Sequence, residues 1–232
     1  GDVSRTWGGL RSQIPLALNM SLTGLAYMHS DLGGFAGGKL SPELYTRWLQ
    51  YGVFQPVYRP HSQEQVPSEP IFYADSTQQI VRKFIKLRYQ MLPYNYTLAY
   101  QNTTKGSPLM RPLFFLEPNN PQLYQTNQSY LWGDAFLVAP VLQKGQKTVK
   151  VYFPKGRTWF DFWSNQSYAG GTTATIPVTL DKIPVFVRGG AFVPMSRPIN
   201  NTSAYTSKEL ILHYYFDGTL KTAQTGFMYE DD

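Results

Sequence analysis

The pattern of the chain changes near Ser107, and this change limits its possible folds more than any other feature. Before Ser107, segments with helical periodicity alternate with short apolar runs. After it, short β-like runs are separated by Gly, Pro and Asn at intervals of roughly 8–12 residues. Alternating helices and strands are typical of an α/β unit, whereas closely spaced short strands are typical of an antiparallel sandwich. The sequence therefore predicts two units of different class, α/β followed by all-β.

The first unit has the pattern of the C-terminal part of a (β/α)8 TIM barrel. We expect a helix from Trp7 to Leu18, another after Ser41-Pro42-Glu43, and a third that starts at a capping box formed by Ser76 and Gln79. Buried parallel strands are predicted at residues 23–28 and 53–58. Two such repeats cannot close a barrel, because closure needs eight strands.

The second unit is predicted to be an antiparallel β-sandwich. A further strand at residues 209–216 follows the polar segment 200–203 and indicates the start of another β domain. The predicted domains are 1–106, 107–196 and 197–232. The expected sandwich strands are residues 109–115, 130–132, 136–138, 148–153, 158–162, 172–178, 185–187 and 192–194.

Composition excludes several classes of function. The net charge is +6, from 21 Lys and Arg against 15 Asp and Glu, but the basic residues are dispersed. Their densest patch, Arg82, Lys83, Lys86 and Arg88, lies on the third predicted helix and is interpreted as a solvated face, so no nucleic-acid partner is expected. No apolar run is long enough to span a bilayer. There is no cysteine and there are only three histidines, so neither a metal nor another cofactor is expected. The compartment stays open, with a periplasmic or secreted location slightly favoured.

Three polar positions stand out, each with an ordinary structural interpretation beside the functional one. Asp2 could be a solvated carboxylate, Asp31 a turn or cap residue before two glycines, and His61 a structural histidine. Asp31 and His61 each follow a predicted strand. Because active sites of such barrels lie at the carboxyl ends of the strands, we expect Asp2, Asp31 and His61 to converge on one pocket.

The order of short motifs along the chain resembles glycoside hydrolase family 31. The resemblance covers nearly the whole chain, and its strength is in the combination rather than in any single motif. The matching motifs are Gly1-Asp2, His29-Ser30-Asp31-Leu32-Gly33-Gly34-Phe35, residues 47–54, Arg59-Pro60-His61, and residues 88–94, 110–113, 133–141 and 187–191.

The resemblance implies a role for each polar position. Asp2 falls on the general acid/base of the family. Asp31, with Phe35 nearby, and His61 fall on groups that bind sugar hydroxyls, and Arg59 on a positioning residue. The family's nucleophilic Asp belongs to an earlier strand outside this sequence, so the N-terminal part of the same protein is an expected partner, beside an oligosaccharide or other α-glycoside substrate.

The implied activity is that of a retaining α-glycosidase that removes terminal non-reducing sugars, above all from α-glucosides. Within the same family, α-xylosidase, α-galactosidase, transglycosylase and glucan lyase activities share these motifs. Residues 62–66 and the other part of the barrel are expected to set the choice. The alternative from a different class is a non-catalytic fragment or β-rich, carbohydrate-associated module.

Overall fold

The computed structural model describes residues 2–39 and 41–231, and the first part of the chain is helical. Long loops connect most of its helices. None of the helices in the described ranges is both long and apolar enough to cross a membrane. The α-helices of these ranges are α1 (Trp7–Leu22), α2 (Pro42–Gly52), α3 (Asp75–Gln90) and α4 (Leu92–Lys105).

Side-chain caps fix the starts of the first two helices. The Thr6 hydroxyl accepts a hydrogen bond from the Gly9 N–H at the start of α1. At the start of α2, Ser41 accepts one from the Leu44 N–H, and Pro42 occupies the first helical position, where its missing N–H costs nothing. Both starts agree with the sequence prediction.

The predicted capping box of α3 is wrong. The helix begins at Asp75, and the carbonyl of Ala74 accepts hydrogen bonds from the N–H groups of Thr77 and Gln78. Ser76 therefore lies inside the first turn, where its side chain cannot act as the cap. No other side chain in the described part of the chain caps this end.

The two predicted barrel strands are also wrong in position. Residues 23–28 form turns, because their backbone bonds go back to α1, for example from Leu25 N to Met20 O at 3.0 Å. Residues 53–58 leave α2 through further turns and pair with no strand of the residues that the structure describes. The parallel contacts occur later in each repeat, as single bridges between Ser4 and Ala36 and between Leu32 and Pro60.

The second part of the chain is built from antiparallel strands. In the described ranges the strands are β1 (Met110–Arg111), β2 (Tyr130–Trp132), β3 (Phe136–Val138), β4 (Thr148–Phe153), β5 (Trp159–Asp161), β6 (Ser167–Tyr168), β7 (Thr172–Pro177), β8 (Val185–Arg188), β9 (Phe192–Met195) and β10 (Ile211–Tyr214). Six of these strands form one sheet in the order β1-β2-β3-β8-β5-β6, and two separate pairs are β4 with β7 and β9 with β10.

The predicted strands agree with the observed ones most closely in β2, β3 and β4, whose bounds are those predicted. Residues 109–115 differ, because only Met110–Arg111 is a strand and a 3₁₀ turn follows Pro112. The strand predicted at residues 209–216 is β10, which pairs with β9 with Ile211 opposite Met195. Strand β6 was not predicted.

The large sheet is apolar on both faces, and the two faces have different partners. Leu131, Leu137 and Phe186 point to one side, where they pack with β4 and β7. Their strand neighbours, such as Trp132 and Phe136, point to the other side and pack with the helices. The sheet is therefore a middle layer, with the β4–β7 pair on one face and the helical part on the other.

Aromatic side chains tie the sheet to the helices by hydrogen bonds as well as by packing. The Tyr130 hydroxyl donates to the Phe54 carbonyl at 2.8 Å, and the Tyr94 hydroxyl donates to the Trp132 carbonyl at 2.9 Å. The Trp132 indole N–H donates to the Asn95 side-chain oxygen at 3.0 Å. All of these groups are buried, so each bond satisfies a polar atom that has no access to water.

Candidate functional site

Asp2 belongs to a short segment that runs beside the Asp31–Phe35 motif. The N–H of Phe35 donates to the Val3 carbonyl at 2.8 Å, and the N–H of Arg5 donates to the Ala36 carbonyl at 2.9 Å. The side chain of Asp2 is exposed and directly precedes this pairing.

The segment that carries Arg59 and His61 lies along the other side of the same motif. The N–H of Leu32 donates to the Arg59 carbonyl at 3.1 Å, and the N–H of Gln63 donates to the Phe35 carbonyl at 3.0 Å. The three segments that carry the predicted site residues are thus joined side by side, with Asp31 to Ala36 in the middle.

Asp31 is the most enclosed carboxylate of the three segments. It is only 3% exposed and lies 3.6 Å from the Arg59 guanidinium, which is itself half-exposed. A turn closed by the Gly34 N–H on the Asp31 carbonyl holds the main chain at this point. A carboxylate in such a place accepts hydrogen bonds but needs a cation or several donors beside it.

Phe35 and His61 make the second direct contact within the site. Their ring centroids are 5.5 Å apart with an interplanar angle of 44°. Both side chains are half-buried, so part of each remains accessible. Such a pair offers an apolar ring face and a ring nitrogen in the same place.

A buried polar network fixes the residue before Asp31. The Trp48 indole N–H of α2 donates to the Ser30 hydroxyl at 2.9 Å, and that hydroxyl contacts the Gln55 side-chain oxygen at 3.5 Å. The Gln55 amide then donates to the Val57 carbonyl at 3.0 Å. The network therefore connects the Asp31 motif with the segment that leads to Arg59 and His61.

Arg88 fixes the same segment from α3, and the prediction that it belongs to a solvated face is wrong. Its guanidinium donates to the carbonyls of Val53, Gln55 and Pro56, each at 2.7 Å. Burial lowers the pKa of Arg88 to about 10, so the side chain stays protonated near neutral pH. An arginine suits this position because its planar guanidinium presents several N–H donors in fixed directions to the three carbonyls.

Two glycines let the Asp31 motif approach its neighbours. Gly33 and Gly34 have φ of +95° and +89°, a region that side chains with a Cβ rarely adopt. A Cβ on Gly34 would lie 2.6 Å from the Arg5 Cα, and a Cβ on Gly33 would lie 2.8 Å from the Tyr45 ring. The glycines are therefore required both by conformation and by space.

Gly34→Ala should therefore separate the Asp31 segment from the Asp2 segment. We expect a loss of stability of about 1–3 kcal/mol from the backbone conformation, and a loss of activity as well, because the Arg5 main chain must move. Chemical denaturation and steady-state kinetics of the full-length protein measure the two effects. Gly37→Ala is the matched control, because Gly37 also has a positive φ of +65° but no atom of residues 2–39 and 41–231 lies within 4 Å of its Cβ position. Equal behaviour of the two variants would contradict the close-contact argument.

The predicted site residues fall into two contacting pairs and one neighbour. Asp31 contacts Arg59, and Phe35 contacts His61. Asp2 lies on the adjoining segment, and in the described part of the chain its carboxylate bonds to none of these four. The supporting role of Arg88 was missed. Its only sequence signal was an arginine at the end of a run of otherwise exposed basic residues.

Comparison with protein families identifies both parts of the chain. Residues 1–98 match the glycosyl hydrolases family 31 TIM-barrel domain, and residues 106–193 match the glycosyl hydrolase family 31 C-terminal domain.

Known relatives agree with these matches. The chain is 37% identical to an α-xylosidase of Saccharolobus solfataricus, over 88% of this chain and 29% of that protein. It is also 37% identical to human neutral α-glucosidase AB, over 100% of this chain and 25% of that protein. The chain thus spans between a quarter and three-tenths of the length of these relatives.

Solved structures have the same fold over most of the chain. The family 31 α-xylosidase of Xanthomonas citri matches with a TM-score of 0.88 and 32% identity, over 94% of this chain and 25% of that one. The family 31 dextranase of Flavobacterium johnsoniae, solved with glucose, matches with a TM-score of 0.84 and 32% identity, over 90% of this chain and 26% of that one. Two adjacent regions therefore match consecutive domains of one family, and the chain belongs to glycoside hydrolase family 31.

Proposed function

We propose that the chain is part of a retaining α-glycosidase that hydrolyses terminal non-reducing α-linked sugars, with α-glucosides as the preferred substrates. It would supply the C-terminal part of the catalytic barrel, the antiparallel sandwich that follows, and the start of a further β domain from residue 197. The observation that carries the proposal is the side-by-side pairing of the segments that hold Asp2, Asp31 and His61.

Asp2 would act as the general acid/base in this reaction. A retaining glycosidase uses one carboxylate to attack the anomeric carbon and a second to protonate the leaving oxygen, with the two carboxyl groups roughly 5–5.5 Å apart. The same second group then removes a proton from the water that releases the sugar. In the described part of the chain the Asp2 side chain is exposed, so a leaving group and a water molecule can reach its carboxylate.

The attacking carboxylate would come from the rest of the same protein. Asp31 is buried against Arg59, and that position suits a hydroxyl acceptor better than a nucleophile that must reach the anomeric carbon. The chain spans 29% or less of the two curated relatives compared above, so such a segment has ample room in a longer protein.

Asp31, Arg59, Phe35 and His61 would hold the sugar at the cleavage position. Asp31 accepts hydrogen bonds from sugar hydroxyls, and Arg59, 3.6 Å from that carboxylate, orients it. Phe35 packs against the carbon-bound hydrogens of the ring, while His61 contacts a further hydroxyl. Bonds of this kind accelerate the reaction to the extent that they strengthen as positive charge develops on the sugar ring.

An α-xylosidase is the second candidate, favoured by the names of two similar proteins from Saccharolobus solfataricus and Xanthomonas citri. The two activities differ in the hydroxymethyl group of glucose, which xylose lacks. A site built for xylose has no space for this group, whereas a site built for glucose loses contacts when it is absent.

A substrate panel on the full-length protein tests the proposal. We expect 4-nitrophenyl α-glucoside and maltose to be cleaved, 4-nitrophenyl α-xyloside to be cleaved more slowly, and the β-anomers to be inert. The first sugar product, followed by proton NMR, should be the α-anomer, because two displacements retain configuration. A β-anomer as the first product would contradict a retaining mechanism, and faster turnover of the xyloside would favour the α-xylosidase. A protein that cleaves none of these substrates would support the non-catalytic alternative.

A further inference from the structure

The loop after His61 is held at both ends, and its far end depends on a buried arginine. At the near end, the Gln63 N–H donates to the Phe35 carbonyl at 3.0 Å. At the far end, the Arg5 guanidinium donates to the Pro67 carbonyl at 2.9 Å, and the Tyr45 hydroxyl donates to the Ser68 carbonyl at 2.8 Å. Two consecutive carbonyls are thus fixed by two side chains from distant parts of the sequence.

Between its anchored ends the loop forms a compact polar turn. The Val66 N–H donates to the Gln63 carbonyl at 3.0 Å, and the Ser62 hydroxyl donates to the Val66 carbonyl. Glu64 and Gln65 lie at the exposed tip. The turn therefore presents a carboxylate and an amide immediately beyond His61, groups suited to sugar hydroxyls.

The Arg5 side chain is placed at an energetic cost. It is only 5% exposed, its Nε is buried without a hydrogen-bond partner, and among residues 2–39 and 41–231 no carboxylate lies within ion-pair distance. Arg5 also directly precedes the N-terminal cap of α1, where the helix dipole disfavours a cation. A buried, unpaired guanidinium does not favour the folded state, so a purely structural purpose would be served better by an apolar side chain.

We propose that Arg5, together with Tyr45, is a positioning residue that clamps the turn at residues 63–66 as a rigid wall for the leaving sugar. Arg5 touches no reacting atom; it acts through the loop. This inference rests on the proposed glycosidase function, because it assigns the turn to the sugar beyond the cleaved bond. An aryl leaving group, which has no hydroxyls for the turn to bind, should be insensitive to the clamp.

Arg5→Met in the full-length protein tests the inference. The KM for maltose should rise about tenfold or more. The Pro67 carbonyl loses a hydrogen bond from a charged group, so the turn is no longer held against the leaving sugar. The kcat and KM for 4-nitrophenyl α-glucoside should stay within about threefold of the wild-type values. The thermal midpoint should stay equal or rise, because the buried charge is removed. Arg5→Lys, which keeps the positive charge and an N–H donor, should bring the maltose KM part of the way back to the wild-type value.

Tyr45→Phe removes the neighbouring anchor without removing a charge. It should raise the maltose KM in the same way, and the double variant with Arg5→Met should show less than the product of the two single effects, because both act on one loop. Arg11→Met is the matched control, since Arg11 is an exposed arginine on α1. It should change the kcat and KM of neither substrate.

Three outcomes distinguish a failure of the inference from a failure of the function on which it rests. Wild-type protein that cleaves neither substrate would sink the proposed function. Wild-type activity, with an unchanged maltose KM in Arg5→Met, would overturn the inference alone. Equal losses on both substrates together with a lowered thermal midpoint would also overturn it, since they would make Arg5 merely structural.

Discussion

Asp2→Asn in the full-length protein should reduce the cleavage of maltose by roughly 10²–10⁴-fold, the usual contribution of general acid–base catalysis. The sugar of maltose is a poor leaving group and needs a proton. The glycosylation step with 4-nitrophenyl α-glucoside should survive, because nitrophenolate leaves without protonation. Release of the sugar from the enzyme should then become slow, since no base activates water. Pre-steady-state kinetics should show a burst of nitrophenolate followed by slow turnover.

Azide separates this role from that of a nucleophile. A small anion needs no general base, so azide should restore turnover of the aryl glucoside by Asp2→Asn and yield an α-glucosyl azide. A β-azide would show that the substitution had removed the attacking carboxylate. Asp2 would then be the nucleophile and not the general acid/base. Unchanged activity on maltose would exclude Asp2 from the mechanism. Asp75→Asn, at an exposed carboxylate in the first turn of α3, is the control for loss of one negative charge.

Asp31→Asn should lower kcat/KM for α-glucosides by roughly 10²-fold or more, because an amide of nearly the same shape replaces charge-assisted hydrogen bonds to sugar hydroxyls. The ion pair with Arg59 is lost as well, but Arg59 is half-exposed, so this pair contributes little to folding. The thermal midpoint should therefore change little. Kinetics and calorimetry of the same preparation measure both quantities.

Deoxy sugars identify which contact is lost in Asp31→Asn. A substrate that lacks a hydroxyl bound by Asp31 should have a much lower kcat/KM with the wild-type protein. The loss should be much smaller with Asp31→Asn, because in that variant the hydrogen bond to this hydroxyl is already weakened. Arg59→Met is the companion variant and should have a smaller effect than Asp31→Asn, since Arg59 acts through the carboxylate. A loss within about threefold in Asp31→Asn would remove Asp31 from sugar binding.

Local pattern was sufficient to predict much of the antiparallel part from the sequence. The bounds of β2, β3 and β4 follow from apolar and β-branched residues between clear breakers, and the start of α2 follows from Ser41 and Pro42. The barrel strands could not be located in this way. A short apolar run does not by itself reveal its partner, and residues 23–28 satisfy their first N–H groups on α1 instead of on another strand.

The side chains that support the candidate site could not be predicted from local sequence patterns, because their hydrogen bonds join positions that are far apart in the chain. Arg5 and the Pro67 carbonyl are 62 residues apart, and Arg88 lies 32 to 35 residues from the carbonyls it holds. Neither arginine has a local signature that distinguishes it from a surface residue. The motif residues Asp31 and His61 were recognisable because their order resembles a family. The side chains that hold their segments in place were not.

The contacts of Tyr94, Tyr130 and Trp132 bear on how relatives of this chain can be recombined. The gap between the two matched regions, near Gly106, looks like a natural splice point for chimeras. A crossover there would nevertheless place Trp132 from one parent against the residue at position 95 from the other. The indole N–H of Trp132 is buried, and it loses its hydrogen-bond partner if that residue is not Asn95. Crossovers that keep α4 and β2 from the same parent should give more soluble hybrids. New specificities would then be introduced by exchanging loops such as residues 62–68, while the sheet and the helices packed on it would come from the same parent.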